Sequence, residues 1–402
     1  MPKLGIAKRV QGMEDNVWVK FNKLALDIRP VNFGSGSPDF PPPDFLVSAL
    51  KESLNRPDAC HQYTREYGHP RLVNALAQMY SRLIGREIDA EEEVVITVGA
   101  QQALYCAIFG LVNPGEEVIV IEPFFDCYEP ITQMAEGVPV YVPLRPVRKD
   151  PVPLVYLVEH VDSLKWLGGS NQDRTYNVIL AFAGMGFLLQ VFSREELELI
   201  ASLCKKYDVV CLSDEVYEWI VFGEAEHVPM CTLPGMWERT ITVGSAGKTF
   251  NVTGWKVGWA YGPRDLLRGP RLYHQSCRIT LGSLHQEAVA IGLEHEMKRM
   301  HEPTSYWKSL SATLREKRDR VCDSLSRMGM TPTVPQGGYF IMADFSKIAP
   351  KADIEGEGPK DERFAIWLCR TKKLLGIPPS SFYGPANKAL AQDLIRFCFM
   401  RV

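Results

Sequence analysis

The chain has 402 residues, of which 46% are hydrophobic and 23% are charged, a composition typical of soluble proteins with two or three domains. The formal net charge of -3 gives no electrostatic reason to expect nucleic acid or an anionic membrane surface as a partner. No apolar run approaches the ~20 residues of a membrane span, and the N-terminus lacks the apolar core of a signal peptide. We therefore expect a cytoplasmic protein, and a mitochondrial form with a longer N-terminus stays open.

The cysteines and histidines argue against disulfides and metal centres. The ten cysteines are scattered singly without a CxxC pair, and several of them lie inside apolar runs. The eight histidines show neither an HExxH motif nor paired metal spacing. This pattern predicts buried free thiols in a reducing compartment, and no metal site.

Apolar, β-rich runs alternate with helical patterns through the middle of the chain. Near-continuous apolar strands between helices are typical of a parallel or mixed sheet with helices on both faces. Ser193 and Glu196 form a predicted capping box that opens one of these helices. The predicted strands, in chain order, are 94–97, 115–123, 177–184, 208–215, 240–244 and 257–262.

The sequence divides into three predicted regions. Residues 1–45 are rich in Pro and Gly and are predicted to form an N-terminal arm and part of a small domain. Residues 46–298 carry the alternating strands and helices of a large domain. Residues 299–402 begin with a long helical run and continue with strand-like segments, which predicts a smaller α+β domain.

The stretch "TITVGSAGKTFNVTGWKVGW" places a lysine, Lys248, directly after an apolar strand. A nucleotide-binding P-loop needs a second glycine five positions before Gly247, and Thr242 occupies that position. Only two residues separate Gly244 from Gly247, which is too few to wrap a phosphate chain. The stretch therefore favours a lysine with covalent chemistry over a P-loop.

Reactive side chains follow several of the predicted strands, at the edge where open α/β sheets bind ligands. One cofactor needs such a set, because pyridoxal phosphate requires a lysine, an acid for its pyridine nitrogen, a flat partner and a phosphate cradle. Each residue alone has a simpler explanation as a helix cap, a core residue or a surface charge, and only their coincidence favours the cofactor. The residues are Gly99, Ala100, Gln101, Phe125, Asp214, Tyr217, Ser245, Lys248 and Lys256.

Longer motifs carry a family resemblance. The segments "SDEVYEW", "GSAGKTFNVTGWKVGW", "GSPDFPPPDF", "YTREYGHP", "EPFFDCYEP", "PQGGYF" and "IRFCF" are similar to the kynurenine aminotransferase and cysteine-S-conjugate β-lyase family. Matching segments run from about residue 5 to 402. The resemblance implies an α/β protein of fold type I, the aspartate aminotransferase-like class of pyridoxal-phosphate-dependent transferases, with a mostly parallel sheet in its large domain.

The resemblance also implies roles for the cofactor residues. Lys248 would form the Schiff base and transfer the proton, Asp214 would pair with the pyridine nitrogen, and Tyr217 with the O3′ oxygen. Phe125 would stack on the ring. The phosphate would be held by Ser245, Lys256 and the turn of Gly99, Ala100 and Gln101.

On the substrate side, the resemblance implies that Arg396 binds the α-carboxylate and that Trp18 and Gly36 line the pocket. Tyr63 would reach the phosphate of a neighbouring subunit, which implies a homodimer with shared active sites. The implied substrates are kynurenine-type, aromatic, glutamine or sulfur amino acids as donors and a 2-oxo acid as acceptor.

The sequence departs from the family between about residues 150 and 190. The family has an "NxPxNPxG" loop whose second Asn binds the cofactor and positions the substrate carboxylate. Here no Asn or Pro stands between Ala181 and Val191. Smaller departures are Gln101 at a position that often carries a Tyr, Ile279 and Thr280 in the pocket, and a chain end at Val402, before the family's last helix.

Three hypotheses follow. The first is a pyridoxal-phosphate aminotransferase with a β-lyase side activity. The second is a cysteine-S-conjugate β-lyase in which β-elimination is the main reaction. The third is a family member impaired in catalysis, because the Asn-Pro loop is missing.

Overall fold

The computed structural model describes residues 5–13, 16–56, 60–149, 152–157, 179–183, 190–278, 280–348, 354 and 356–401, with the backbone alone in 145–149, 152–157 and 179–183. The helices are α1 Val17–Ile28, α2 Asp44–Leu54, α3 Pro70–Ile84, α4 Gly99–Leu111, α5 Tyr128–Met134, α6 Arg194–Lys206, α7 Ala246–Thr249, α8 Arg264–Cys277, α9 Ser283–Met297, α10 Tyr306–Arg327 and α11 Lys360–Lys372. The strands are β1 Val31–Asn32, β2 Val94–Val98, β3 Glu117–Glu122, β4 Val138–Pro143, β5 Arg145–Lys149, β6 Val152–Leu157, β7 Ile179–Ala183, β8 Val210–Asp214, β9 Thr240–Ser245, β10 Val257–Tyr261, β11 Thr331–Pro332, β12 Phe340–Asp344, β13 Leu374–Leu375 and β14 Leu394–Cys398.

The large sheet has the strand order β2-β10-β9-β8-β7-β3-β4 within the described part of the chain. Neighbouring strands from β9 to β4 are parallel, and β10 alone among these runs antiparallel to both of its neighbours. The strands β9 and β10 are buried throughout and β3 is buried after its first residue, as expected for apolar runs covered by helices on both faces. The prediction of a mostly parallel sheet is confirmed.

The capping box also forms as the sequence predicts. The Ser193 hydroxyl accepts a hydrogen bond from the Glu196 backbone N–H at 3.2 Å, and the Glu196 carboxylate accepts one from the Ser193 N–H at 2.8 Å. These two bonds satisfy N–H groups that would have no partner inside α6. The cap therefore starts α6 just after the stretch in which the sequence departs from its family.

A second, antiparallel sheet of β11, β12 and β14 packs with α10 and α11 in the C-terminal part of the chain. The N-terminal segment joins it, because β1 pairs in parallel with β13 and α1 contacts α11. The sequence analysis expected an irregular arm here and missed α1. Asn16 caps this helix by accepting from the Trp18 N–H at 2.8 Å, and Phe21 anchors it in the core.

All ten cysteines lie in the described ranges, where nine of them are buried and Cys277 is exposed. Among the residues that the structure describes, none of the helices is both long and apolar enough to cross a membrane.

Candidate active site

A cavity of about 330 Å³ opens at the edge where β8 and β9 end. This size lies within the ~300–1,000 Å³ range of small-molecule sites. Twelve of the thirteen residues that the sequence analysis selected line it, and Tyr63 does not. The twelve are Trp18, Gly36, Gly99, Ala100, Gln101, Phe125, Asp214, Tyr217, Ser245, Lys248, Lys256 and Arg396.

The reversed direction of β10 brings Lys256 to this edge. Val257, the first residue of β10, pairs with Val98, the last residue of β2, and Gly258 pairs with Ser245, the last residue of β9. Lys256 therefore lies where β2 and β9, the two strands that flank β10, both end. Its φ of 55° turns the chain into the strand.

The glycine at the start of α4 leaves room for Lys256. Gly99 has a φ of +69°, and a Cβ there would lie 3.3 Å from the Lys256 Nζ atom. The first N–H groups of a helix have no partners within it and suit an anion. Burial, together with the charge of Lys248, lowers the pKa of Lys256. Lys256, the hydroxyl of Ser245 and the start of α4 thus form a cationic, donor-rich end of the cavity.

Lys248 is held between β9 and β10. It lies in the short helix α7, which follows Ser245 directly, and its side chain is half-buried. The approach of the two strands is close, because a Cβ on Gly244 would lie only 2.1 Å from the Trp259 Nε1 atom. The Trp259 indole in turn donates to the Tyr80 hydroxyl at 3.0 Å. Gly244 is thus required by packing rather than by phosphate binding.

Asp214 places a buried carboxylate at the end of β8. Its Oδ2 atom accepts a hydrogen bond from the Tyr128 hydroxyl at 3.0 Å, and its Oδ1 atom accepts one from the Val216 N–H at 3.4 Å. Burial raises the pKa of Asp214 to about 6, although these two bonds and the charge of Lys248 oppose the shift. A cation placed against this carboxylate would therefore be strongly favoured.

Glu215, the residue after Asp214, is paired with His227. The Glu215 Oε2 atom is 2.8 Å from the His227 Nε2 atom, and its Oε1 atom accepts bonds from the Ser213 hydroxyl at 2.7 Å and the Met230 N–H at 3.0 Å. Burial lowers the pKa of His227, but the charge and hydrogen bond of Glu215 outweigh it and raise that pKa overall. The Glu215 charge also raises the pKa of Asp214.

Arg396 lines the same cavity from the second sheet. It lies on β14, it is 1% exposed, and its guanidinium carbon sits 4.0 Å from the centre of the Phe340 ring and 5.3 Å from the Trp18 ring. Its Nη2 atom donates to the Gly34 carbonyl at 3.4 Å. Burial lowers the pKa of Arg396 to about 10. A planar cation in an aromatic setting suits bidentate binding of a carboxylate.

The structure adds residues that the sequence analysis did not assign. Tyr339 lies with its ring 4.9 Å from that of Tyr217 and donates to the Gly36 carbonyl at 2.9 Å. Asp126 accepts a hydrogen bond from the Trp18 indole at 2.6 Å. Tyr339 belongs to the motif "PQGGYF", so the sequence contained a signal for it. Asp126 and Tyr128 likewise belong to the motif "EPFFDCYEP", although their partners Trp18 and Asp214 come from distant parts of the chain.

Three sequence-based predictions remain outside this cavity. Of the two residues expected in the pocket, Ile279 lies outside the described residues and Thr280 does not line the cavity. Tyr63 is 82% exposed on the surface of the chain. The predicted disruption of the Asn-Pro loop concerns residues 181–191, of which 184–189 lie outside the described residues.

The mostly parallel large sheet, the smaller antiparallel sheet and the residues that line the cavity together define a fold-type I transferase of the aspartate aminotransferase-like class. The chain belongs to the aminotransferase class I and II family, whose model matches residues 28–152 and 190–401. Dependence on pyridoxal phosphate is a general property of that family. The break in the match coincides with the stretch in which the Asn-Pro loop is missing.

The chain is similar to kynurenine aminotransferases along almost all of its length. It is 43% identical to human kynurenine--oxoglutarate transaminase 1, over 98% of this chain and 94% of the relative. It is 42% identical to mouse kynurenine--oxoglutarate transaminase 3, over 98% of this chain and 86% of the relative. Among solved structures, N-succinyldiaminopimelate aminotransferase from Mycobacterium tuberculosis matches with a TM-score of 0.85 and 32% identity, over 99% and 96% of the two chains. The chain is thus an aminotransferase.

Proposed function

We propose that this aminotransferase binds pyridoxal phosphate in the cavity and moves the α-amino group of a kynurenine-type, aromatic, glutamine or sulfur amino acid to a 2-oxo acid. The observation that carries the proposal is the set of charged side chains that line one cavity. Lys248, Lys256, the buried Asp214 and the buried Arg396 all line it, and the charge of Lys248 acts on both Asp214 and Lys256.

The side chains present fit the cofactor chemically. Lys256, Ser245 and the start of α4 would hold the phosphate, and the narrow space beside Gly99 would be lost if a Cβ were added. Asp214 would hold a proton on the pyridine nitrogen, and Tyr217 would donate to O3′. When bound, the cofactor supplies an electron sink for charge that develops at the substrate Cα atom.

The proposed work of the protein is to bind, orient and move a proton. Lys248 would anchor the cofactor through Nζ and, as a free amine, carry a proton to and from the substrate Cα atom. Arg396 would hold the α-carboxylate and so fix which bonds of Cα face Lys248. The rings of Trp18, Phe340 and Tyr339 make this part of the cavity aromatic, which supports an aromatic donor.

We further propose a homodimer with shared active sites. Tyr63 is 82% exposed in the single chain and does not line its own cavity. A large exposed aromatic side chain of this kind supports the prediction that it reaches the cofactor phosphate of a partner subunit. Measuring the molecular mass in solution, with Tyr63→Ala tested for weaker cofactor retention, addresses this part of the proposal.

The decisive experiment combines a donor and acceptor panel with chemical trapping. Borohydride reduction of the holoenzyme should leave a pyridoxyl group on the peptide that contains Lys248, as detected by mass spectrometry. Lys248→Ala should abolish turnover, whereas Lys51→Ala, an exposed lysine on α2, should retain it. Modification of a different lysine, or wild-type turnover by Lys248→Ala, would contradict the proposal.

The same panel addresses β-elimination, which stays a prediction from the sequence. Pyruvate release from a cysteine S-conjugate without any 2-oxo acid measures it directly. Faster pyruvate release than transamination of every donor would favour a β-lyase as the main activity.

A further inference from the structure

Three side chains with metal-binding atoms meet away from the active-site cavity. The Cys60 Sγ atom, a ring nitrogen of His69 and a Glu287 carboxylate oxygen lie within 4.8 Å of one another. His69 Nδ1 and Glu287 Oε2 are 3.5 Å apart. Ligand atoms on a tetrahedral zinc ion lie ~3.3–3.7 Å from one another, given metal–ligand bonds of ~2.0–2.3 Å. One edge of such a site is already formed.

Two of these atoms are buried without a hydrogen-bond partner among the described residues. They are His69 Nδ1 and Glu287 Oε2, which face each other at 3.5 Å without a hydrogen bond and form an ion pair only when His69 is protonated; the Glu287 side chain as a whole is only 1% exposed. A buried polar atom without a partner is destabilising, and such atoms in a folded protein call for a specific explanation. A cation between them would supply a partner to both.

The surroundings hold the carboxylate in the orientation that such a site needs. Arg71 donates to the Glu287 Oε1 atom at 2.6 Å, and Arg56 pairs with the same oxygen. The Oε2 atom is left to face His69. Hydrogen bonds from outside the ligand set commonly orient metal-binding carboxylates in this way. Arg71 also binds Glu294, which offsets part of the added positive charge.

The contact between His69 and Glu287 belongs to the interface at which segment 60–69 packs on the first turns of α9. The Ser283 hydroxyl donates to the Gln62 carbonyl at 2.9 Å, and the Gln286 side chain accepts from the His69 N–H at 2.8 Å. Ser283, Gln286 and Glu287 share one face of α9, since residues three and four apart are neighbours on a helix. The cluster thus joins both ends of the segment to one helix.

We propose that Cys60, His69 and Glu287 form a binding site for a thiolate-preferring divalent cation of the zinc type. The cysteine binds as a thiolate, so its proton is released to solvent when the metal enters. The site has three protein ligands, and water completes the coordination. The bound ion links segment 60–69 to α9 through bonds that neither element makes by itself.

A consequence concerns Tyr63, which lies within the linked segment. If Tyr63 reaches a partner's cofactor, as the proposed function holds, metal binding will slow the loss of cofactor from the dimer. This effect on cofactor loss rests on the proposed function. The number of metal ions bound and the identity of their ligands do not depend on the proposed function. The two can therefore fail separately.

The test is cobalt substitution in the purified holoenzyme after dialysis against a chelator. We expect one equivalent of Co²⁺ to produce a thiolate-to-cobalt charge-transfer band that Zn²⁺ displaces. Cys60→Ser should abolish the band and weaken Zn²⁺ binding at least tenfold, as measured by competition with a chromophoric chelator. Cys277→Ser is the matched control, because Cys277 is the exposed cysteine and lies on a different helix, and it should keep the band.

X-ray absorption of the zinc-loaded wild-type protein provides a reading that does not depend on any variant folding correctly. One sulfur ligand, with the remaining ligands nitrogen and oxygen, is the expected shell. A shell without sulfur, a band that survives Cys60→Ser, or a band lost in Cys277→Ser would each overturn the proposal.

Discussion

The hydrogen bond from Tyr128 to Asp214 provides a quantitative test of the site. Tyr128→Phe removes the hydroxyl that donates to the Asp214 Oδ2 atom at 3.0 Å, where both residues are buried. Hydrogen bonds to charged groups contribute ~1.5–3 kcal/mol. Because one pKa unit corresponds to ~1.36 kcal/mol, the loss should raise the pKa of Asp214 by ~1–2 units.

The direction of the effect on stability follows from the two pKa values. In the cofactor-free protein the pKa of Asp214 is about 6, above the ~3.9 of an unfolded chain. The folded state therefore binds this proton more tightly, and its stability falls as the pH rises from about 4 to about 6. In Tyr128→Phe the fall should continue to about pH 7–8 and reach an additional ~1.5–3 kcal/mol.

The assay is urea denaturation of the cofactor-free protein at several pH values between 5 and 8. We expect the difference between Tyr128→Phe and wild type to grow across this range. Tyr105→Phe is the control, because it removes a hydroxyl from a half-buried ring that stacks on Phe109 and has no described bond to Asp214. A constant difference across the range would refute the reasoning, since the hydroxyl would then not stabilise an ionised carboxylate.

Three further predictions concern other parts of the site. Arg396→Lys keeps the positive charge but loses the planar guanidinium that can bind a carboxylate with two hydrogen bonds. The KM for amino acids and the KM for oxo acids should therefore each rise more than tenfold. If both KM values are unchanged, Arg396 does not belong to the site. Gly244→Ala should lower the free energy of unfolding by ~1–3 kcal/mol, because the added Cβ would clash with Trp259. Gly254→Ala should not lower it, because there is open space for a Cβ at that position. Equal denaturation midpoints for the two variants would contradict this prediction. An Asn-Pro loop inserted between Leu180 and Val191 should raise kcat up to ~100-fold and tighten cofactor binding only ~10-fold, because the lost bond is worth ~0.5–1.5 kcal/mol. The measurements are kcat and the cofactor dissociation constant of the protein with and without the inserted loop. An unmodified protein with the same kcat as its relatives would show that the loop is dispensable.

Much of the large domain could be predicted from local sequence. The strands β2, β3, β8 and β9 are nearly continuous apolar runs, and only a sheet covered on both faces buries such runs completely. Asp214 and Lys248 follow two of these strands, so a parallel arrangement alone brings them to one edge. The apolar runs and the residues that follow them are local features, so they can be recognised in a single sequence.

The small elements at the N-terminus were harder to predict. Pro and Gly dominate residues 34–43, and their turn signals obscured the amphipathic pattern of α1 just before them. The short strand β1 is stable only because β13 supplies its hydrogen bonds from a distant part of the chain. Two residues carry too little pattern to predict a strand without that partner.

What the sequence by itself determined is the family, the order of the strands along the chain and the residue types that follow them. Tertiary structure decided the rest, because contacts between distant segments leave no local pattern. The reversal of β10 brings Lys256 beside Ser245, and the fold places Tyr128 on Asp214. The absence of paired metal spacing predicts no metal site, and that prediction is untested; the proposed cation site rests on Cys60, His69 and Glu287, which meet because segment 60–69 docks on α9. Such a site depends on how two elements pack, which the spacing of residues within either element does not encode.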